Sequence, residues 1–164
     1  MAEESNKNAV IFVCLGNICR SPMAEAIFRT QIKEKGVKDR WKVDSAGTGD
    51  YHISCQPDVR TMKTLTRHKI TDYQHSARQI RERDLQEFDF ILVMDDENLE
   101  AVKGLSKGDS KAVIKLLGGF DKGASSDQVQ DPYYGRGDEG FERVYQQCWQ
   151  CCEGFLQWVS GGCH

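Results

Sequence analysis

The chain has 164 residues and carries 22 Lys and Arg against 25 Asp and Glu, a formal charge of -3. That length suits one domain spanning residues 1–164 with a sizeable buried core, and the slight acidic balance offers no broad basic field for nucleic acid or an anionic membrane surface. No stretch is long and apolar enough for a membrane span or a secretory core, so the 7 cysteines read as reduced thiols of a cytoplasmic protein and not as a disulfide framework.

Taken in order, residues from about 1 to 8 are polar and read as a flexible leader. Ala9-Val10-Ile11-Phe12-Val13 is short, apolar and rich in β-branched residues, the pattern of a buried strand. After Cys14-Leu15-Gly16-Asn17-Ile18-Cys19-Arg20, Ser21 reads as a helix N-cap and Pro22 as the first helical position. The helix runs on through 25–35 with Ala26, Ile27 and Ile32 among charges, and Gly36 stops it. Trp41 to Ala46 alternates as a second strand, and 47–51 is a loop. Strand, helix and strand at this spacing form a βαβ unit, with parallel pairing and a right-handed crossover.

Residues 58–67 read as a helix with Val59, Met62 and Leu65 on one face, 68–79 as a loop, and 81–87 as a short charged helix. Asp89 to Met94 is a buried third strand, 97–102 a helix, and Ala112 to Leu117 a fourth strand ended by Gly118-Gly119. The polar stretch 119–140 has no periodicity and contains Asp131-Pro132-Tyr133-Tyr134-Gly135; loops this long in compact domains are functional or disordered. The chain closes on a helix whose stripe holds Phe141, Val144, Tyr145, Cys148, Cys151, Cys152, Phe155, Trp158 and Val159. The alternation predicts an α/β fold, an open four-stranded parallel sheet with helices on both faces and a phosphate-binding loop after the first strand.

The chemistry concentrates at that first loop. A strand C-terminus joined to a helix N-terminus aims unpaired N–H groups and the helix dipole at one point, which suits an anion. Gly16 and Asn17 tolerate the positive φ of a tightly curled loop, and Arg20 adds a planar fork matched to phosphate oxygens. Cys14 at the floor of this cup is a candidate thiolate nucleophile. In open parallel sheets ligands bind beyond the strand C-termini. Cys14, Asp44-Ser45 and Asp95-Asp96 all lie at such ends, and the 119–140 loop leaves from the same edge. Asp131 can therefore reach Cys14 and supply the proton a departing alkoxide or phenoxide needs, with Pro132 restricting the loop. Tyr51, Tyr133 and Tyr134 are candidate aromatic walls. From sequence alone Cys19 is equally a small core residue or a redox partner of Cys14. Cys148, Cys151 and Cys152 share the apolar stripe without a second ligand pair, so a zinc site is set aside and no metal or cofactor is expected.

The run Val13 to Pro22 resembles the signature of the low-molecular-weight protein tyrosine phosphatases. The resemblance extends through Asp44-Ser45-Ala46, His75-x-Ala77-Arg78-Gln79-Ile80, Met94-Asp95 and Asp131-Pro132-Tyr133-Tyr134-Gly135. It implies a metal-free phosphotyrosine protein phosphatase, with acid phosphatase activity, that works through a phosphocysteine. Cys14 would be the nucleophile, Arg20 the phosphate clamp and Asp131 the general acid and base. Gly16, Asn17, Ile18, Cys19 and Ser21 would cradle the phosphate, with Leu15, Tyr51, Tyr133 and Tyr134 around the ring. Asn17, Ser45 and His75 would hold the loop curled, Ser21 would donate to the Cys14 sulfur, and Asp95 would orient Arg20 or cap the next helix. Cys19 would trap an oxidised Cys14 as a reversible disulfide. The expected partners are phosphotyrosine-containing proteins and inorganic phosphate or other oxyanions, met by a monomer. A thiol-dependent arsenate reductase shares the loop but needs a relay pair of cysteines, and none lies between Cys55 and Cys148. A non-catalytic phosphotyrosine-binding module would have lost the nucleophile or the acid.

Overall fold

The computed structural model describes residues 7–106, 108 and 110–161; most of the expected leader, together with Cys163 and His164, falls outside them. Four strands form one parallel sheet: β1 (Asn8–Cys14), β2 (Trp41–Gly47), β3 (Phe90–Val93) and β4 (Val113–Leu116), in the order β2-β1-β3-β4. Five helices accompany them: α1 (Arg20–Glu34), α2 (Val59–Arg67), α3 (Asp84–Glu87), α4 (Asp96–Leu105) and α5 (Glu139–Ser160). The apolar runs of β1 and β3 are continuous because both strands lie inside the sheet and are covered on both faces.

Alternation along β1 divides the core. Val10 and Phe12 face one cluster with Ile27 and Phe28 of α1, Leu65 of α2 and Cys148 and Phe155 of α5. Ala9, Ile11 and Val13 face the other, with Leu85 of α3 and Val102 of α4. This two-sided burial is the expected open α/β arrangement. Cys148, Cys151 and Cys152 are fully buried within the first cluster, as their place in the α5 stripe predicts.

Several boundaries differ from expectation. The α1 N-cap is Cys19, without a side-chain cap bond, so Ser21 sits inside the first turn and Pro22 two residues past Arg20. A proline is tolerated there because its missing N–H still falls in the first turn, and Ser21 turns its hydroxyl elsewhere. The N-terminal half of α1 is buried almost all round, because it is enclosed between β1, β2 and α5. Gly36 follows the C-cap with φ +72°, the left-handed stop its position predicts. The helix expected over 81–87 is confined to α3, and Leu117 leaves the fourth strand for a 3₁₀ turn, Leu117–Phe120.

That turn packs against α5 with no room to spare, since a Cβ on Gly154 would run into the Phe120 carbonyl. Gly154→Ala is expected to cost about 1–3 kcal/mol through overpacking. The measurable result is a melting temperature lower by about 2–4 °C per kcal/mol for a chain of this size.

Register sets the site. Cys14 pairs with Gly47 and Val13 with both Ala46 and Val93, so β1, β2 and β3 end at one level. No helix among the described residues is long and apolar enough to cross a membrane.

Candidate active site

The loop from Cys14 to Cys19 curls between β1 and α1, and Asn17 takes the left-handed conformation at φ 59°. An L-residue held there needs side-chain partners, and Asn17 has them on both ends of its amide. Nδ2 donates to Ser21 Oγ at 2.8 Å and to Ser45 Oγ at 3.0 Å. Oδ1 accepts from the Arg78 backbone N–H at 3.0 Å and faces His75 Nε2 at 2.8 Å. Because the Asn17 amide oxygen is an acceptor, His75 presents Nε2–H to it. Ser45, having accepted from Asn17, donates to Glu25 Oε1 at 2.7 Å, and the Tyr73 hydroxyl donates to the same oxygen at 2.7 Å. Burial and the adjacent Glu25 carboxylate push the Tyr73 phenol up, so it remains a donor.

Asn17→Ala should therefore destabilise the protein by about 2–4 kcal/mol, through the left-handed backbone and the loss of the hydrogen bonds to Ser21, Ser45, His75 and the Arg78 N–H. A lower urea midpoint together with weaker phosphate affinity is the expected reading.

The Cys14 sulfur lies at the bottom of the loop, with the residue 2% exposed. Ser21 Oγ is 3.0 Å from it, and the Asn17 backbone N–H donates to it at 3.3 Å. Ser21 accepts from Asn17, and its one hydroxyl hydrogen has two acceptors in reach, the Cys14 sulfur at 3.0 Å and the Ala46 carbonyl at 3.4 Å. Arg20, likewise 2% exposed, is fixed from behind. Its Nη1 donates to Asp95 Oδ2 at 2.6 Å and to the Val129 carbonyl at 2.9 Å. Burial opposes its charge, but Cys14, Asp95 and Asp131 outweigh that and hold its pKa above the ordinary guanidinium range. Asp95 makes both contacts at once: Oδ2 accepts from Arg20, and Oδ1 caps α4 through the Asn98 N–H at 2.9 Å.

Asp131 comes to the same place from the β4–α5 connection. Its Oδ2 is 3.6 Å from Arg20 Nη2, and its Oδ1 accepts from the Tyr133 N–H at 3.0 Å. Cys14, Leu15, Gly16, Ile18, Cys19, Arg20 and Asp131 line one cleft of about 460 Å³, with Tyr51, His52, Tyr133 and Tyr134 at its walls. Tyr133 and Tyr134 meet edge to face, their centroids 5.0 Å apart. Tyr51 lines the cleft while remaining largely exposed.

Sequence reasoning missed Glu25, Tyr73, His52, Asp58 and Arg60. Glu25 reads as one more charge on an amphipathic helix, and only the enclosure of α1 reveals it as the acceptor under Ser45. His52 lies against Gly16, close enough that a Cβ there would meet its ring at 2.9 Å, a proximity without sequence signal. Among the described residues, Glu25, Asp44 and His75 form the group whose ligand atoms approach one another closely enough for a cation. Its oxygens are already engaged by Ser45, Tyr73, Arg29 and Arg78, which leaves it poorly suited to one.

A parallel α/β sheet whose first strand delivers a Cys-x5-Arg anion loop, and whose last connection returns a carboxyl group to it, defines the class of cysteine-based phosphatases. The family model described as low molecular weight phosphotyrosine protein phosphatase matches residues 9–161, and the chain belongs to that family. A low molecular weight phosphotyrosine protein phosphatase of Pongo abelii is 47% identical over 159 residues, 96% of this chain and 98% of its own. Among solved structures, a protein tyrosine phosphatase from Entamoeba histolytica with Hepes in the active site superposes with a TM-score of 0.89. It is 33% identical and covers 95% of this chain and 99% of its own. A Drosophila arginine phosphatase gives a TM-score of 0.85 at 34% identity, with 92% and 96% of the two chains covered.

Proposed function

We propose that residues 1–164 form a single phosphatase domain that hydrolyses phosphotyrosine in proteins through a phosphocysteine, with Cys14 as nucleophile. The observation that carries this reading is the Cys14 sulfur with its two donors at the base of a cleft that Arg20 and Asp131 share. The Cys14 thiolate attacks phosphorus, forming the S–P bond as the P–O bond to tyrosine breaks. Arg20 and the loop N–H groups hold the non-bridging oxygens, more strongly as charge builds on them. Asp131 gives its proton to the departing phenoxide. Water then attacks the phosphocysteine and passes a proton to Asp131, and the S–P bond breaks towards a sulfur that receives the Ser21 hydrogen bond. Gly16, Asn17, Ile18, Cys19 and Ser21 frame the phosphate, while Leu15, Tyr51, Tyr133 and Tyr134 flank the ring. Ser45, His75 and Asp95 hold the loop and Arg20 in place.

The depth of Cys14 favours a long aryl ester over phosphoserine, and the aromatic walls favour a ring. Oxidation of the Cys14 thiolate to the sulfenic acid by a peroxide, which is reduced to water or an alcohol, and condensation with the Cys19 thiol, with loss of water, would shelter the nucleophile. Burial, with Asp58 and the Cys14 charge next, pushes the Cys19 thiol up, so it waits as a thiol. The 7 cysteines, read as reduced thiols, point to the cytoplasm, and we take the protein to act as a monomer. Release of inorganic phosphate from matched phosphotyrosine, phosphoserine and phosphoarginine peptides, with and without chelator, tests it. Phosphotyrosine should be strongly preferred and the chelator without effect. Silence on phosphotyrosine, or a metal requirement, overturns the reading.

A further inference from the structure

The carboxyl group of Asp131 rides on a connection with few tethers. Among the described residues, the ion pairs and hydrogen bonds that reach 130–137 from other elements come from Arg20 and Arg60. Arg20 meets the Asp131 carboxylate itself. Arg60, at the start of α2, meets the neighbour on which that carboxylate rests.

Its geometry links three parts of the site. Asp58, the N-cap of α2, accepts from the Arg60 backbone N–H at 2.8 Å, while its own N–H donates to the Ile18 carbonyl of the phosphate loop at 2.8 Å. The Arg60 fork closes on Asp58 through Nε–Oδ1 and Nη2–Oδ2, each at 3.0 Å. The same Nη2 reaches across 73 positions of sequence to the Tyr133 carbonyl at 3.2 Å. The guanidinium lies 5.6 Å from the Tyr133 ring centroid and 4.5 Å from that of Phe141 in α5. Tyr133 in turn presents its N–H to Asp131 Oδ1 at 3.0 Å. Burial pushes the Asp58 carboxyl up, but hydrogen bonds from Arg60 and its charge outweigh this and hold it below the usual range.

We propose that Arg60 is a positioning residue for the proton transfer: clamped to the phosphate loop through Asp58, it grips Tyr133 by carbonyl and ring and so fixes Asp131 over the leaving oxygen. This rests on the phosphatase reading above. Arg60 touches no reacting atom, and its effect passes through Asp131. A misplacement of about 1 Å in such a group costs up to about 10²-fold in rate, and the loss concentrates on esters that need the proton.

Arg60→Met keeps a stem over Phe141 and removes the fork. For phenyl phosphate, a poor leaving group, kcat/KM should fall about 10-fold to 100-fold. For 2,4-dinitrophenyl phosphate, which departs without help, it should stay within about 3-fold, so the dependence on leaving-group pKa steepens. Arg60→Lys retains the charge but not the bidentate grip and should fall between Met and wild type. In an Asp131→Ala background, Arg60→Met should change neither substrate by more than about 2-fold, because the group it positions is gone. An equal fall on both esters, or none on either, overturns the proposal, as does a full extra loss in the Asp131→Ala background. Should Arg60→Met fail to fold, Asp58→Asn loosens the fork while preserving the helix cap. It must then steepen the same dependence, and an unchanged slope overturns the proposal. Wild type inactive on both esters would instead overturn the phosphatase reading, a result distinguishable from wild-type activity with an unaltered slope.

Discussion

Cys14→Ser is expected to abolish phosphate release, by at least about 10⁴-fold, while the protein still binds inorganic phosphate. The substitution removes only the sulfur. An alcohol at that position is almost wholly protonated at neutral pH and nucleophilic only with a base to help it, and no base lies among the groups that touch the Cys14 sulfur. Those groups, Ser21 Oγ and the Asn17 N–H, are a hydroxyl and an amide donor, neither of which takes up a proton at neutral pH. The anion cup does not depend on sulfur. Arg20 is held by Asp95 and the Val129 carbonyl, and the loop is held by the Asn17 amide. Calorimetric titration with phosphate, beside a discontinuous assay for its release from an aryl ester, separates the two properties. Turnover within about 10-fold of wild type would remove Cys14 from the mechanism.

Asp131→Ala is expected to lower kcat/KM on phosphotyrosine by about 10²–10⁴-fold, the range for a lost general acid. A dinitrophenyl ester should suffer far less in that first step. Its phosphocysteine should nevertheless accumulate, because the same carboxylate takes the proton from water in the second. Rapid quenching after mixing should therefore trap more protein-bound phosphate than in wild type. The site should survive the change. The Arg20–Asp131 contact is long at 3.6 Å, whereas Arg20 keeps Asp95 at 2.6 Å. Equal losses on good and poor leaving groups, without added phosphoenzyme, would assign Asp131 a binding role and not a proton-transfer one.

How far the site could be read before the fold was seen depends on the scale of the interaction. The apolar run 9–13 and the Cys14-to-Arg20 motif are local patterns, and β1, the loop and α1 follow from them directly. Asp131 is distant in sequence but legible by topology, because the strands of an open parallel sheet present their C-termini at one edge. The capping assignment failed at Ser21 for a chemical reason. A hydroxyl that would cap a helix elsewhere is here recruited by a sulfur, and the turn opens two residues earlier, at Cys19. Glu25 and Arg60 were illegible because the pattern around each is that of an exposed helical charge. Their partners, Ser45 and Tyr73 for the one and Tyr133 for the other, arrive from segments whose approach depends on tertiary packing.

The placement of Cys14 after the first strand and of Asp131 before the last helix also carries a consequence for biosynthesis. During translation Cys14 and its loop leave the ribosome long before Asp131 is made, and the Val129 carbonyl that braces Arg20 comes equally late. A growing chain thus carries the thiol before the Asp131 carboxyl group, and the cleft the two share can assemble only once the segment preceding the final helix has been made.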